Sequence, residues 1–168
     1  MNKVFLLLGG NLGDVSQTFI QARKQISFGV GPIRKASSLY QSEPWGFEAD
    51  TMFLNQVLEV ETLLEPSELL IELHNIESSL GRRRKKGVMD SRNIDIDILF
   101  FNDQVILTTH LEVPHPRLHL RRFTLLPLAE ISPEMVHPQM GKTVAQLLES
   151  CEDPLVVQKL DAAQDPAG

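Results

Sequence analysis

An α+β fold, with helices laid on a largely antiparallel sheet, is what this 168-residue sequence predicts. Three observations carry that expectation. Short strand-like stretches, two of them alternating apolar and polar residues, are separated by segments whose apolar residues recur at helical spacing. Their order reads βαββα, then a β-hairpin, then helices, which fits an α+β sandwich of the ferredoxin-like kind. Length and composition, with 42% hydrophobic and 23% charged residues, are those of one ordinary globular domain. We place that domain at residues 1–160 and expect the Pro-, Ala- and Asp-bearing residues 161–168 to form a disordered tail.

In chain order, Lys3 to Leu8 reads as a short buried strand running into Gly9-Gly10-Asn11-Leu12-Gly13-Asp14, a turn expected to need positive φ angles. It lacks the lysine and hydroxyl residue of a phosphate loop. Asp14 is the expected N-cap, with Gln17 at the third position, of a helix whose Val15, Phe19, Ala22 and Ile26 share a face. Gly29-Val30-Gly31-Pro32 ends it. Ile33 to Gln41 reads as a second strand. Phe53 to Glu61 is a third, with Leu54, Leu58 and Val60 on one face and Phe53, Asn55 and Val57 on the other. Pro66 opens a second helix with a stripe of Leu69, Leu70, Leu73, Ile76 and Leu80, and Gly81 closes it. His74 and Glu77, three apart on that helix, fit a surface contact. Arg82-Arg83-Arg84-Lys85-Lys86-Gly87 follows, a loop of like charges expected to be mobile without a ligand. After the strand ending at Phe101, Asn102-Asp103 is expected to turn a hairpin into Gln104 to Leu107. A polar loop then carries Val113-Pro114-His115-Pro116. Arg121 to Ile131 reads as a third helix, kinked or interrupted near Pro127, and Thr143 to Glu149 as a short fourth.

The strand between the basic loop and the hairpin is the odd one. In Arg92-Asn-Ile-Asp-Ile-Asp-Ile-Leu-Phe-Phe101, Ile94, Ile96 and Ile98 alternate with Asp95 and Asp97. Both carboxylates therefore share a face, with β-carbons roughly 6.5 Å apart, close enough to converge on one or two metal ions. Read alone, the pattern is equally two solvated aspartates. Charge distribution favours the metal. Although net charge is −6, six of the 16 basic residues fall between Arg82 and Arg92, and Arg117, Arg121 and Arg122 form a second group. Concentrated arginines beside carboxylates suit a clamp on phosphoryl groups and their magnesium; a solvated loop is the alternative, and the better one for Arg83, Lys85 and Lys86. The acidic balance argues against nucleic acid or an anionic membrane as partner. No run of about 18 apolar residues exists, and Val4 to Leu8 is too short for a secretory segment, so a cytoplasmic protein is expected. Cys151 stands alone and reads as structural.

Gly81-Arg82-x-Arg84, Ser91-Arg92-x-x-Asp95-Ile96-Asp97-Ile98-Leu99, Val113-Pro114-His115-Pro116 and Ser42-x-Pro44-x-Gly46 closely resemble the motifs of the 6-hydroxymethyl-7,8-dihydropterin pyrophosphokinases. The likeness spans about residues 2 to 150. It implies a three-layered αβα, ferredoxin-like monomer that moves the β,γ-diphosphate of ATP to the pterin hydroxymethyl group, releasing AMP, with two magnesium ions. By the same likeness, Asp95 and Asp97 are the metal ligands and, with Arg82 and Arg92, the catalytic residues. Phe53 and Phe123 sandwich the pterin, Asn55 bonds its polar edge, Asp95 touches it, and Ser42, Glu43, Pro44 and Trp45 line it. His74, Glu77, Arg84, Arg92, Ile98, His115 and Arg121 meet ATP. The sequence departs from the family at Met89 and Asp90, where an aromatic and a small residue are usual, and at His110, Pro116 and Phe53. A ferredoxin-like binding module that holds a nucleotide without transferring anything, and a nucleic-acid-binding domain of similar topology, are the competing readings.

Overall fold

A computed structural model of the chain describes residues 1–11, 13–43, 52–81 and 94–160. In order come β1 (Asn2–Gly10), α1 (Val15–Gly29), β2 (Ile33–Ala36), β3 (Tyr40–Ser42), β4 (Phe53–Thr62) and α2 (Pro66–Ser79). They are followed by β5 (Asp95–Phe101), β6 (Ile106–Leu107), β7 (Glu112–Val113), a 3-10 turn over Leu118–Leu120, α3 (Arg122–Ile131), α4 (Val144–Glu149) and β8 (Val157–Lys159). The main sheet runs β5-β1-β4-β3-β8, with β2 also on β4, and every pairing is antiparallel.

Two cores, one per face of the sheet, make three layers. Val4, Leu6 and Leu8 of β1 join Leu58 and Val60 of β4 and Ile96 and Ile98 of β5 under α1 and α2, which contribute Phe19, Ala22, Ile26, Leu69, Leu73 and Ile76. The alternate residues Phe5, Leu7 and Val57 face Leu125 and Leu128 of α3 and Val144 and Leu147 of α4. β1 is therefore apolar on both faces, as a central strand covered on both sides must be. The expected helix signals hold. Gln17 N–H donates to Asp14 Oδ1 at 3.1 Å, Pro66 sits in the first turn of α2, and Gly81 follows it at φ 96°. Among the described residues no helix is long and apolar enough to cross a membrane.

Several expectations are corrected. Gly9 and Gly10 belong to β1, and among the described residues of the segment after it only Gly13 has a positive φ, at 69°. The expected strand from Ile33 to Gln41 is two strands, β2 and β3. Ser37 breaks it: its N–H donates to the Val57 carbonyl at 2.9 Å, and its Oγ accepts from the Val57 N–H at 3.0 Å, so a hydroxyl replaces one rung of the ladder. Nor does Asn102-Asp103 lead into a hairpin partner of β5. Asn102, at φ 50°, turns back to β1, its N–H donating to the Lys3 carbonyl at 2.7 Å and its Oδ1 accepting from the Lys3 N–H at 2.8 Å. Residues 106–107 then pair with β7 instead. Of the kink or interruption expected near Pro127, the interruption is absent, α3 running from Arg122 to Ile131 through it. Residues 157–159 add β8 against β3, which no pattern in the sequence announced.

Tyr40 fastens α3 to this edge. Its hydroxyl donates to Glu130 Oε1 at 2.7 Å, and burial together with that carboxylate holds the phenol well above its ordinary range.

Candidate active site

The register of three strands builds the site. Gly9 of β1 pairs with Asn55 of β4 on one side and Asp95 of β5 on the other, and Leu7 pairs with Val57 and Asp97. Residues opposed across antiparallel strands project from the same face. Asn55, Asp95 and Asp97 therefore stand together on the α3 side of the sheet, at the end where the apolar row Val57–Leu7 gives way to polar groups. Phe53 lies two residues before Asn55 on that face and pairs with Ser42, which is 2% exposed. The two aspartates are half-buried while Ile94, Ile96 and Ile98 are buried in the opposite core, as the alternation predicts.

A bulge in β5 permits this. Phe5 pairs with Phe100 and Leu6 with Ile98, so Leu99 has no opposite number. Both Leu99 and Phe100 turn into the core beneath α3, and Phe101 into the core beneath α2. One extra residue thus lets a single strand carry carboxylates at one end and a two-sided core at the other.

Gly9 makes room in the candidate site, which the glycine-turn reading missed. A Cβ there would lie 2.8 Å from Asn55 Nδ2, so the bare backbone leaves the room in which the Asn55 amide lies across β1, 3.4 Å from the Leu8 carbonyl. Asn55 itself is 5% exposed. A glycine inside an apolar strand, where it weakens the strand, was the available signal.

From the other side, the start of α3 and the loop before it bring in the cations. Arg121 is the residue before α3, and its guanidinium carbon lies 5.5 Å from the centre of the Phe123 ring. Phe123 packs on the α3 side of the sheet. Burial, then Arg117, holds the Arg121 value below its ordinary one, while Asp97 and Asp95 pull it back. A phosphate would relieve that crowding of positive charge. His115 follows the cis Val113–Pro114 peptide. Its N–H donates to the Leu99 carbonyl at 3.1 Å, and its Nδ1 accepts from the Arg117 N–H at 3.2 Å. With Nδ1 an acceptor, the neutral ring carries its proton on Nε2 and is a donor there. Burial pushes the imidazole down to about 4, Arg121 adding and Asp95 opposing.

That shift has a sign. The folded value lies below the ordinary 6.5, so as pH falls through the unfolded value only the unfolded chain takes up the proton, and stability present above pH 6.5 is lost towards pH 4. In urea unfolding at pH 7 and pH 4.5, we expect His115→Gln to lose less stability on acidification than the parent chain; equal losses would refute the buried, neutral imidazole.

The structure thus gathers Asp95, Asp97, Asn55, Phe53, Ser42, Phe123, Arg121 and His115 at one end of the sheet. Glu77 reaches the same strand from below: it is 1% exposed, and its Oε2 accepts from the Ile96 N–H at 2.7 Å. His74 is exposed on α2, Glu43 is exposed beyond β3, and the Ile98 side chain is buried in the core beneath α1 and α2. Pro44, Trp45, Arg82, Arg84 and Arg92, with Met89 and Asp90, lie outside the described residues.

The family described as 7,8-dihydro-6-hydroxymethylpterin-pyrophosphokinase (HPPK) matches residues 5–133. Among curated proteins, the 2-amino-4-hydroxy-6-hydroxymethyldihydropteridine pyrophosphokinase of Aquifex aeolicus is 42% identical over 146 residues, 87% of this chain and 90% of that protein. The protein of the same name from Bacillus subtilis is 41% identical over 131 residues, 77% of this chain and 78% of its own length. Folic acid synthesis protein fol1 of Pneumocystis carinii is 39% identical over 152 residues, which are 89% of this chain but 20% of that longer one. Among solved structures, a Plasmodium falciparum HPPK-DHPS crystal structure superposes with a TM-score of 0.72 at 20% identity, over 89% of this chain and 43% of that one.

Proposed function

Because the chain belongs to the 7,8-dihydro-6-hydroxymethylpterin-pyrophosphokinase family, we propose that its Asp95–Asp97 face is where the β,γ-diphosphate of ATP passes to the pterin hydroxymethyl group. The chain is an enzyme, a pyrophosphokinase that acts on hydroxymethyldihydropterin in folate biosynthesis. The proposal adds the residues, two magnesium ions and a monomeric, cytoplasmic working form. One observation carries it: Asp95 and Asp97 stand on the same open face as Asn55, within the electrostatic reach of Arg121.

The donor set fits magnesium. Asp95 and Asp97 offer two carboxylates from one strand face, and magnesium is the cation that takes one or two carboxylates and completes its shell with water and substrate phosphate. Asp95 and Asp97 would hold it; when bound, it neutralises charge on the bridging and transferring phosphoryl oxygens. Everything else is done by the chain. Phe53 and Phe123 stack on the flat pterin, and Asn55 presents an amide, both donor and acceptor, to its polar edge. Asp97 orients the attacking hydroxyl. His115 Nε2–H donates to a phosphate oxygen without adding charge, and the Arg121 guanidinium offsets what develops in the transition state. Arg82, Arg84 and Arg92 supply further positive charge from the basic segment, Ser42, Glu43, Pro44 and Trp45 line the pterin, and His74 and Ile98 meet ATP. Catalysis of this kind is positioning and electrostatics.

With ATP, magnesium and 6-hydroxymethyl-7,8-dihydropterin, chromatography should show AMP and diphosphorylated pterin appearing in equal amounts, and neither after chelation of the metal. ADP in place of AMP, or full turnover in chelator, overturns the proposal. A more local check is Gly9→Ala. Its Cβ would displace the Asn55 amide, and losing those bonds should raise the KM for the pterin about tenfold with the KM for ATP unchanged. An unaltered pterin KM would remove Asn55 from recognition.

A further inference from the structure

We propose that Glu77 is a positioning residue for the aspartate strand, holding the outer edge of β5 from α2 at Ile96, the residue between the two carboxylates. The inference rests on the reading of Asp95 and Asp97 as the transfer site.

Among the described residues β5 is an edge strand, paired only with β1. Backbone groups on its other edge must find partners elsewhere. Two are supplied. Ile96 N–H donates to Glu77 Oε2 at 2.7 Å, and the Leu99 carbonyl accepts from His115 N–H at 3.1 Å. These contacts grip the strand on either side of Asp97, one from α2 and one from the loop that carries His115. A buried carboxylate is unfavourable unless strong donors satisfy it, and a charge-assisted bond to a backbone N–H is short and directional. At 1% exposure the Glu77 side chain has a structural setting quite unlike that of His74, exposed on the same helix. Metal-ligating side chains depend on the groups that orient them, and the loss of such support weakens the site without deleting a ligand. The position of α2 therefore helps set where the two aspartates stand.

Three variants test this: Glu77→Ala, Glu77→Gln and, as a control on the site itself, Asp97→Ala. In Glu77→Ala we expect the Ile96 amide to exchange at least about tenfold faster by NMR, Mn2+ affinity in the presence of a non-hydrolysable ATP analogue to fall about tenfold, and kcat to fall about tenfold or more at unchanged pterin KM. Glu77→Gln keeps an acceptor for Ile96 N–H, so amide protection should persist and kcat should return to within about threefold of the parent. If the alanine variant does not fold, the glutamine variant decides: retained protection and turnover support the role, and loss of both overturns it. Normal kcat in Glu77→Ala overturns it, as does a raised ATP KM in both variants with Ile96 protection intact, which would make Glu77 a nucleotide contact. Full activity in Asp97→Ala would instead remove the assignment of the site, a result that the Glu77 variants by themselves do not mimic.

Discussion

Asp97→Ala should cut turnover by about a thousandfold or more while leaving the fold standing, and Asp95→Ala should do the same. The reason lies in where the charges sit. Both carboxylates project from one face of β5, beside Gly9 and Leu7 of β1 and opposite the core that holds Ile94, Ile96 and Ile98. Neither is needed to fill space, and two like charges two residues apart on a strand face repel each other when no cation lies between them. Removing one should change unfolding free energy by about 1 kcal/mol or less, in either direction. Steady-state AMP production and thermal unfolding, measured on the same preparations, check both halves. An Asp97→Ala enzyme with near-normal turnover means that the diphosphate is transferred elsewhere. A variant that is inactive because it is unfolded means that the pair contributes to folding, contrary to its position.

Gly31→Ala should do the opposite, lowering stability by about 3 kcal/mol or more with little effect on kcat per folded molecule. Gly31 joins α1 to β2 where the chain crosses the end of β4. Its φ is 156°, and a Cβ would lie 1.9 Å from the Glu61 carbonyl oxygen and 3.0 Å from the carbonyl carbon. Both neighbours are backbone, so no side chain can swing away. They are also pinned: Gly31 N–H donates to the Ile26 carbonyl at 3.0 Å, and Glu61 N–H donates to the Pro32 carbonyl at 3.1 Å. For a chain of this length, that loss corresponds to a melting temperature lowered by roughly 6–12 °C. Glu61 is six residues from Asn55 on β4, roughly 20 Å along an extended strand, so the transfer site should be undisturbed in molecules that remain folded. A melting temperature within a degree or two of the parent would show that the α1–β2 joint opens without cost.

The two predictions separate what was readable from what was not. The aspartate pair was legible because alternation is a local property: Ile94-Asp95-Ile96-Asp97-Ile98 assigns its own faces without knowledge of any partner strand. Helix caps were legible for the same reason, Asp14 and Pro66 acting on backbone groups a few residues away. The clash at Gly31 was not, since Glu61 is thirty positions distant and only the crossing of two chain segments brings its carbonyl there. Hydrophobic periodicity likewise says that a strand exists but not which strand it joins. Residues 104–107 carry a plausible hairpin signal after Asn102-Asp103, yet the turn is drawn to Lys3 and β6 pairs with β7.

What the sequence determined by itself is the α+β class, the faces of its strands and helices, and, through its ordered motifs, the family to which the chain belongs. Tertiary structure decided which groups meet. The register of β1 with β4 and β5 sets Asn55, Gly9 and Asp95 in one row, the bulge at Leu99 turns one strand to serve both a site and two cores, and burial turns Glu77 from an apparent surface residue into a partner of Ile96. Each of these depends on contacts between residues far apart in the chain, which are selected by packing two cores against one sheet rather than by any local pattern.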